Sequence, residues 1–202
     1  MSDRCVLFFG DSFTAGAGDP TALGWVGRVA AACQPLTAYN LGVRGETSVQ
    51  VAARWQGEAW PRLRGDAAHG VVFAVGANDA CGDPADDDPP RVDPGHSAAT
   101  LAELLEGAAL MRLPAFVVGP VPVGEPHADG RVLALDDAFA RLCGARGLPY
   151  AAVAPALSAD PLWREEAHAG DGSHPAAAGY ARLAELVLAG GFRDWLEAHV
   201  TG

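Results

Sequence analysis

The chain alternates short, continuous apolar runs with longer stretches in which apolar residues recur every three or four positions. Cys5-Val-Leu-Phe-Phe-Gly10 is uninterrupted and closes on glycine, the pattern of a strand buried on both faces. Leu36 to Gly42 is a second strand candidate and Val71 to Gly76 a third. Pro114 to Gly119 and the short Tyr150 to Val153 follow as the fourth and fifth. Between them, Trp25 to Cys33, Ser48 to Trp60, His96 to Arg112 and Arg131 to Arg146 have helical spacing. Thr47 or Ser48 opens the second of these as a cap and Pro61 interrupts it, while Gly147 ends the fourth. After an irregular stretch, Pro175 to Ala189 predicts a helix with proline in its first turn. Gly190-Gly191 breaks that helix, and Phe192 to Val200 predicts a last short one.

This alternation, without linker or internal repeat, predicts one α/β domain over residues 1–202: a three-layer α/β/α sandwich around a central parallel sheet of about five strands. In such a sheet ligands sit outside the carboxyl ends of the strands. The loops that follow the strands are therefore the places to look for chemistry.

Those loops carry small polar clusters. Strand one runs into Gly10-Asp11-Ser12, and strand two into Asn40-Leu-Gly42-Val-Arg-Gly45-Glu-Thr-Ser48. Strand three runs into Gly76-Ala-Asn78-Asp79, and Asp171-Gly-Ser-His174 precedes the Pro175 helix. A serine hydroxyl is a weak nucleophile until a base takes its proton, and His174, with an ordinary imidazole pKa near 6.5, is the candidate base for Ser12. Asp171, three residues earlier, is placed to bond the other ring nitrogen and stabilise the imidazolium. Candidate donors to an acyl oxyanion are the backbone N–H groups of Ser12 and Gly45 and the side-chain amide of Asn78. This chemistry needs no cofactor and no metal.

With these blocks in this order, the sequence resembles the SGNH (GDSL-type) hydrolases. Gly10-Asp11-Ser12, the glycine of Asn40 to Gly45, Gly76-x-Asn78-Asp79 and Asp171-x-x-His174 stand for the four family blocks and span nearly the whole chain. The resemblance implies a flavodoxin-like sandwich and hydrolysis of esters, thioesters or O-acetyl groups of small substrates through an acyl-enzyme. It also implies Ser12 as nucleophile and first oxyanion donor, Gly45 and Asn78 as further donors, and His174 and Asp171 as the rest of a triad. Phe13 replaces the family's leucine after the serine, at a position expected to pack. Gly42 is a second glycine in block two, although the spacing to Thr47-Ser48 favours Gly45 as the donor.

Composition narrows the alternatives. The formal net charge is -11, which argues against nucleic acid as a partner. All 14 basic residues are arginine, so Schiff-base chemistry, a Walker-type phosphate loop and a pyridoxal phosphate linkage are excluded. No apolar run is long enough to cross a membrane or form a signal-peptide core, and a cytoplasmic location is expected. Cys5, Cys33, Cys81 and Cys143 form no C-x-x-C pair and read as isolated small hydrophobes. His69, His96, His127 and His199 read as surface residues, and Trp25, Trp55, Trp60, Trp163 and Trp195 as packing residues.

Three rivals remain at this level. An α/β-hydrolase elbow requires Gly-x-Ser-x-Gly, and position 14 is threonine. A metal-dependent hydrolase could draw on His168, Asp171 and His174. A catalytically idle carbohydrate-binding or scaffold protein could share the fold. Finally, Asp83, Asp86, Asp87, Asp88 and Asp93 lie among prolines just after Asn78. They are expected to form an acidic rim that favours short, neutral or cationic esters over polyanionic ones.

Overall fold

The structure is a computed structural model that describes residues 3–63, 65, 67–82 and 89–201. Its sheet is built from β1 (Arg4–Gly10), β2 (Thr37–Gly42), β3 (Ala68–Ala74), β4 (Ala115–Val118) and β5 (Tyr150–Ala151). All pairings are parallel and the strand order is β2-β1-β3-β4-β5. This is the flavodoxin-like order, in which the chain reverses direction across the sheet between β1 and β3. The expected three-layer parallel fold is therefore present.

The apolar runs have their predicted consequence. Along β1, Val6 and Phe8 enter one core while Leu7 and Phe9 enter the other, because successive side chains point to opposite faces. In β3, Val72 joins the first core, and Val71 and Phe73 the second. The first core is closed by α2 (Gly24–Ala32), α9 (Ala177–Val187) and α10 (Arg193–His199), through Trp25, Val29, Leu183, Val187 and Trp195. The second is closed by α3 (Ser48–Ala59), α5 (Pro94–Leu110) and α6 (Pro126–Ala145), through Trp55, Leu101, Leu104 and Phe139. Burying each of these large side chains contributes about 1.5–3 kcal/mol.

Several short helices were not expected. A single turn, α1 (Ser12–Ala15), follows β1, and another, α4 (Ala77–Ala80), follows β3. The stretch that reads as irregular holds α7 (Ala154–Ser158) and α8 (Pro161–Ala169). Helix α6 begins at Pro126 rather than Arg131, because the Glu125 side chain accepts the His127 and Ala128 N–H groups and proline suits the first helical position.

Two side-chain expectations fail. Trp60 is 75% exposed. The buried face of α3 is the series Val51, Trp55 and Ala59, and Trp60 lies one position beyond it, where Pro61 turns the chain. His69 is half-buried within β3, and its Nε2 lies buried without a hydrogen-bond partner, so it is not a surface residue. The other four tryptophans are buried as expected. Cys5, Cys33 and Cys143 are buried free thiols, and Cys81 is half-buried.

Helix α1 lies directly on the carboxyl edge of the sheet. Gly42, paired with Gly10 across β1 and β2, makes that contact possible: a Cβ at Gly42 would fall 2.3 Å from the Ala15 backbone nitrogen and 2.7 Å from the Asp11 carbonyl oxygen. Both neighbours are backbone, so α1 would have to lift. Replacing Gly42→Ala is expected to cost about 1–3 kcal/mol, the range for overpacking a tight contact. Urea denaturation of the two proteins checks this; equal stabilities would show that α1 can shift freely.

Candidate active site

Asp11, Ser12 and Phe13 occupy the junction of β1 and α1. Asp11 is the N-cap: its Oδ1 accepts the Phe13 N–H at 2.9 Å. Ser12, the first helical residue, is 5% exposed. The far end of the turn is held by Asn40, whose amide donates to the Thr14 carbonyl at 2.7 Å, and by Gly16 in the left-handed region. Ser12 is thus not itself the cap, and its hydroxyl is free for another partner.

That partner is His174. The Ser12 Oγ lies 2.7 Å from His174 Nε2, and His174 Nδ1 lies 2.7 Å from Asp171 Oδ2. The other oxygen of Asp171 accepts the backbone N–H groups of His174 and Ser173, at 2.9 and 3.1 Å. The Asp171 side chain is 47% exposed, with an Arg44 guanidinium nitrogen 3.8 Å from Oδ2. Partial burial raises its pKa, but the hydrogen bonds from His174 and Ser173 outweigh that and bring it down to about 2. Asp171 is therefore a carboxylate at neutral pH.

The imidazole is also held by packing. The Phe13 ring lies 4.7 Å from it, centroid to centroid, and stacks in turn on Trp163 at 6.0 Å. Trp163, from α8, is anchored by its indole N–H to the Pro122 carbonyl at 3.1 Å. Phe13 packs as expected, and the unexpected helix α8 supplies its support.

The third cluster joins through Asp11. Asn78 sits in α4, and its Nδ2 donates to Asp11 Oδ2 at 3.1 Å. Next to it, buried Asp79 accepts the Ser48 N–H at 2.7 Å and the Ser48 hydroxyl at 2.5 Å, tying the start of α3 to the end of β3. Gly45 has φ +76, a conformation that strains any residue with a Cβ. Its carbonyl accepts from Arg91 Nη1 at 3.0 Å. The two glycines of block two are thereby distinguished: Gly42 is a close-contact residue, and Gly45 lies on the exposed turn.

Of the residues picked from the sequence, Ser12, His174 and Asp171 meet by direct hydrogen bonds. Asn78 is joined through the residue before Ser12, and Gly45 through Arg91. Sequence reasoning missed Arg44 and Arg91, since an arginine in a loop has no signature of its own. His168 is exposed on α8, and no group of three potential metal ligands gathers among the described residues. Both ring nitrogens of His174 are engaged, by serine and aspartate, so the metal set His168, Asp171 and His174 is not assembled. Burial pushes the Cys81 thiol up, against the nearby Arg91 charge, and its Sγ donates to the Ala77 carbonyl at 3.4 Å. Asp83, Asp86, Asp87 and Asp88 lie outside the described residues. Asp93 caps α5 through the Gly95 and His96 N–H groups.

Two clefts border this geometry. One of about 260 Å³ is lined by Gly18, Glu166, Gly170, Asp171 and His174. The other, of about 410 Å³, is lined by Thr47, Val49, Gln50, Arg91, Asp93 and His96.

A sequence profile of the GDSL-like lipase/acylhydrolase family matches residues 8–182. The chain belongs to that family. It is an esterase of the SGNH type, and its substrates are small-molecule esters. No curated protein sequence matches the chain. Among solved structures, the fold is similar to that of TesA, at 21% identity and TM-score 0.72 over 94% of this chain and 98% of that one. A lipase/acylhydrolase from Enterococcus faecalis matches at 24% identity and TM-score 0.71, over 93% and 95% of the two chains. A catalytic mutant of Axe2, an acetylxylan esterase from Geobacillus stearothermophilus, matches at 21% identity and TM-score 0.73, over 96% and 97%. No helix among the described residues is long and apolar enough to cross a membrane.

One electrostatic feature of this GDSL-type site is testable through stability. Burial raises the Asp11 pKa to about 7, against the opposing hydrogen bonds from Phe13 and Asn78. A group that holds its proton more tightly when folded stabilises the fold most below its unfolded pKa, near 4, and loses that contribution as pH rises through 7. Urea midpoints of the native protein and Asp11→Asn at pH 4, 6 and 8 should show native stability falling relative to the variant. Parallel pH profiles would place the Asp11 pKa at its ordinary value.

Proposed function

We propose that this esterase hydrolyses short carboxylic esters, with thioesters and O-acetyl groups as related substrates, through an acyl-enzyme on Ser12. The observation that carries the reading is the relay Ser12–His174–Asp171, with both links at 2.7 Å. Ser12 Oγ attacks the acyl carbon while its proton passes to His174 Nε2. Asp171 stays ionised and balances the imidazolium through Nδ1, and His174 then returns the proton to the departing alkoxide. In the second half, His174 takes a proton from water, whose oxygen attacks the Ser12 ester. Collapse returns the proton to Ser12 Oγ and releases the acid.

Negative charge on the acyl oxygen is met by the Ser12 N–H, the Gly45 N–H and the Asn78 amide. The Ser12 N–H is one of the unpaired donors at the start of α1. Asn78 has two amide hydrogens, and the bond to Asp11 uses one, leaving the other for the substrate. The mechanism has no step for a metal or cofactor. Acetylated sugars belong in a substrate panel because Axe2, which shares the fold, is an acetylxylan esterase.

A serine-directed phosphonate should label Ser12 stoichiometrically, and Ser12→Ala should abolish both labelling and ester hydrolysis while remaining folded. Retention of more than a few per cent of activity in Ser12→Ala would remove the serine mechanism. Loss of native activity with EDTA, restored by zinc, would point to metal chemistry instead.

Asn78→Ala should lower kcat by about a hundredfold with little change in KM, since a donor aimed at the oxyanion acts on the transition state. Steady-state kinetics with an aryl ester checks this. A raised KM at unchanged kcat would make Asn78 a substrate-binding residue.

A further inference from the structure

Arg91 stands at the base of the segment that leaves α4. Its backbone N–H donates to the Cys81 carbonyl at 2.8 Å, and the Val92 N–H donates to the Asp79 carbonyl at 3.2 Å. The backbone at Arg91 is thus pinned to the end of α4. From there one guanidinium nitrogen, Nη1, donates to the Gly45 carbonyl at 3.0 Å and lies 3.4 Å from Asn78 Oδ1.

A side-chain amide has two orientations related by exchange of its oxygen and nitrogen. At Asn78 the surroundings choose between them. Oδ1 faces the Arg91 cation and Nδ2 faces the Asp11 carboxyl. Turned over, the amide would set its N–H groups against a guanidinium that can only donate, and its oxygen against a carboxylate that, when ionised, can only accept. With Asp11 ionised, both contacts would be lost together; with Asp11 protonated, the clash with the Arg91 cation alone opposes the flip. The cation at Oδ1 also draws electron density from the amide and strengthens its N–H groups as donors. The bond to the Gly45 carbonyl anchors the guanidinium where it does this.

We propose that Arg91 is a positioning residue of the esterase: it locks the Asn78 amide with its N–H groups toward the reacting acyl oxygen. The proposal rests on the reading of Asn78 as an oxyanion donor. Arg91 is exposed, and water competes for its bonds, so its effect is smaller than that of Asn78 itself.

The test is a double-mutant cycle on kcat with an aryl ester, using Arg91→Ala, Asn78→Ala and the pair. Arg91→Ala should lower kcat by about tenfold with KM within twofold. In the Asn78→Ala background, removing Arg91 should cost less than threefold, because the amide it orients is gone. A raised KM at unchanged kcat, or a full tenfold loss persisting without Asn78, would overturn the proposal. If Asn78→Ala costs a hundredfold while Arg91→Ala costs nothing, the Arg91 proposal alone fails; if Asn78→Ala costs nothing, the oxyanion reading beneath it fails. Should Arg91→Ala lower the melting temperature, Arg91→Lys keeps the charge and most of the stem and should retain at least a third of native kcat. A folded Lys variant as slow as the Ala variant would count against the proposal.

Discussion

The hydrogen bond from the Asn78 amide to the Asp11 carboxyl joins the ends of two neighbouring strands, and the rest of the site hangs from it. Asp11 does three things at once. It caps the single turn that carries Ser12, it holds Asn78, and it sits fully buried between them. Burying a carboxyl is costly unless its oxygens are bonded, and here both are. One side chain therefore links the turn that carries Ser12, the proposed nucleophile, to Asn78, one of its proposed oxyanion donors. The parallel order of β1 beside β3 makes this possible, since it places the two strand ends, Gly10 and Ala74, directly side by side.

Around that bond the site is held by contacts of two different kinds. On the serine side the constraint is steric: α1 rests on backbone at Gly42, a contact that leaves no room for a Cβ. On the histidine side it is aromatic packing, running from Trp163 through Phe13 to the imidazole. Close contacts of this sort tolerate little displacement, which suits a relay whose two hydrogen bonds must stay short. The acid member is different. Asp171 is half in solvent, oriented by two backbone N–H groups of its own turn rather than by a neighbouring element.

Much of this was legible in the sequence because it is local. Continuous apolar runs closed by glycine marked β1, β3 and β4, and the four polar blocks marked where their loops converge. What was missed depends on context. Pro155, Pro161 and Pro126 look like breakers, yet each stands in the first turn of a helix, the last two behind the side-chain caps Asp160 and Glu125. The one-turn helices α1 and α4 are too short for any periodicity to show. Trp60 misled because hydrophobicity alone does not show that α3 ends one residue before it, at Ala59. Arg91 is remote from its partners, 13 residues from Asn78 and 46 from Gly45, so no pattern links them before the chain is folded.

The proposed mechanism turns on the passage of the acyl group through Ser12. Rapid acid quenching during turnover of p-nitrophenyl acetate, followed by peptide mass spectrometry, tests it most directly. One acetyl group is expected on the peptide containing Ser12 in the native protein, and none on that peptide in Ser12→Ala. Undiminished turnover with no acetylated peptide, or acetylation at another residue such as Cys81, would contradict it.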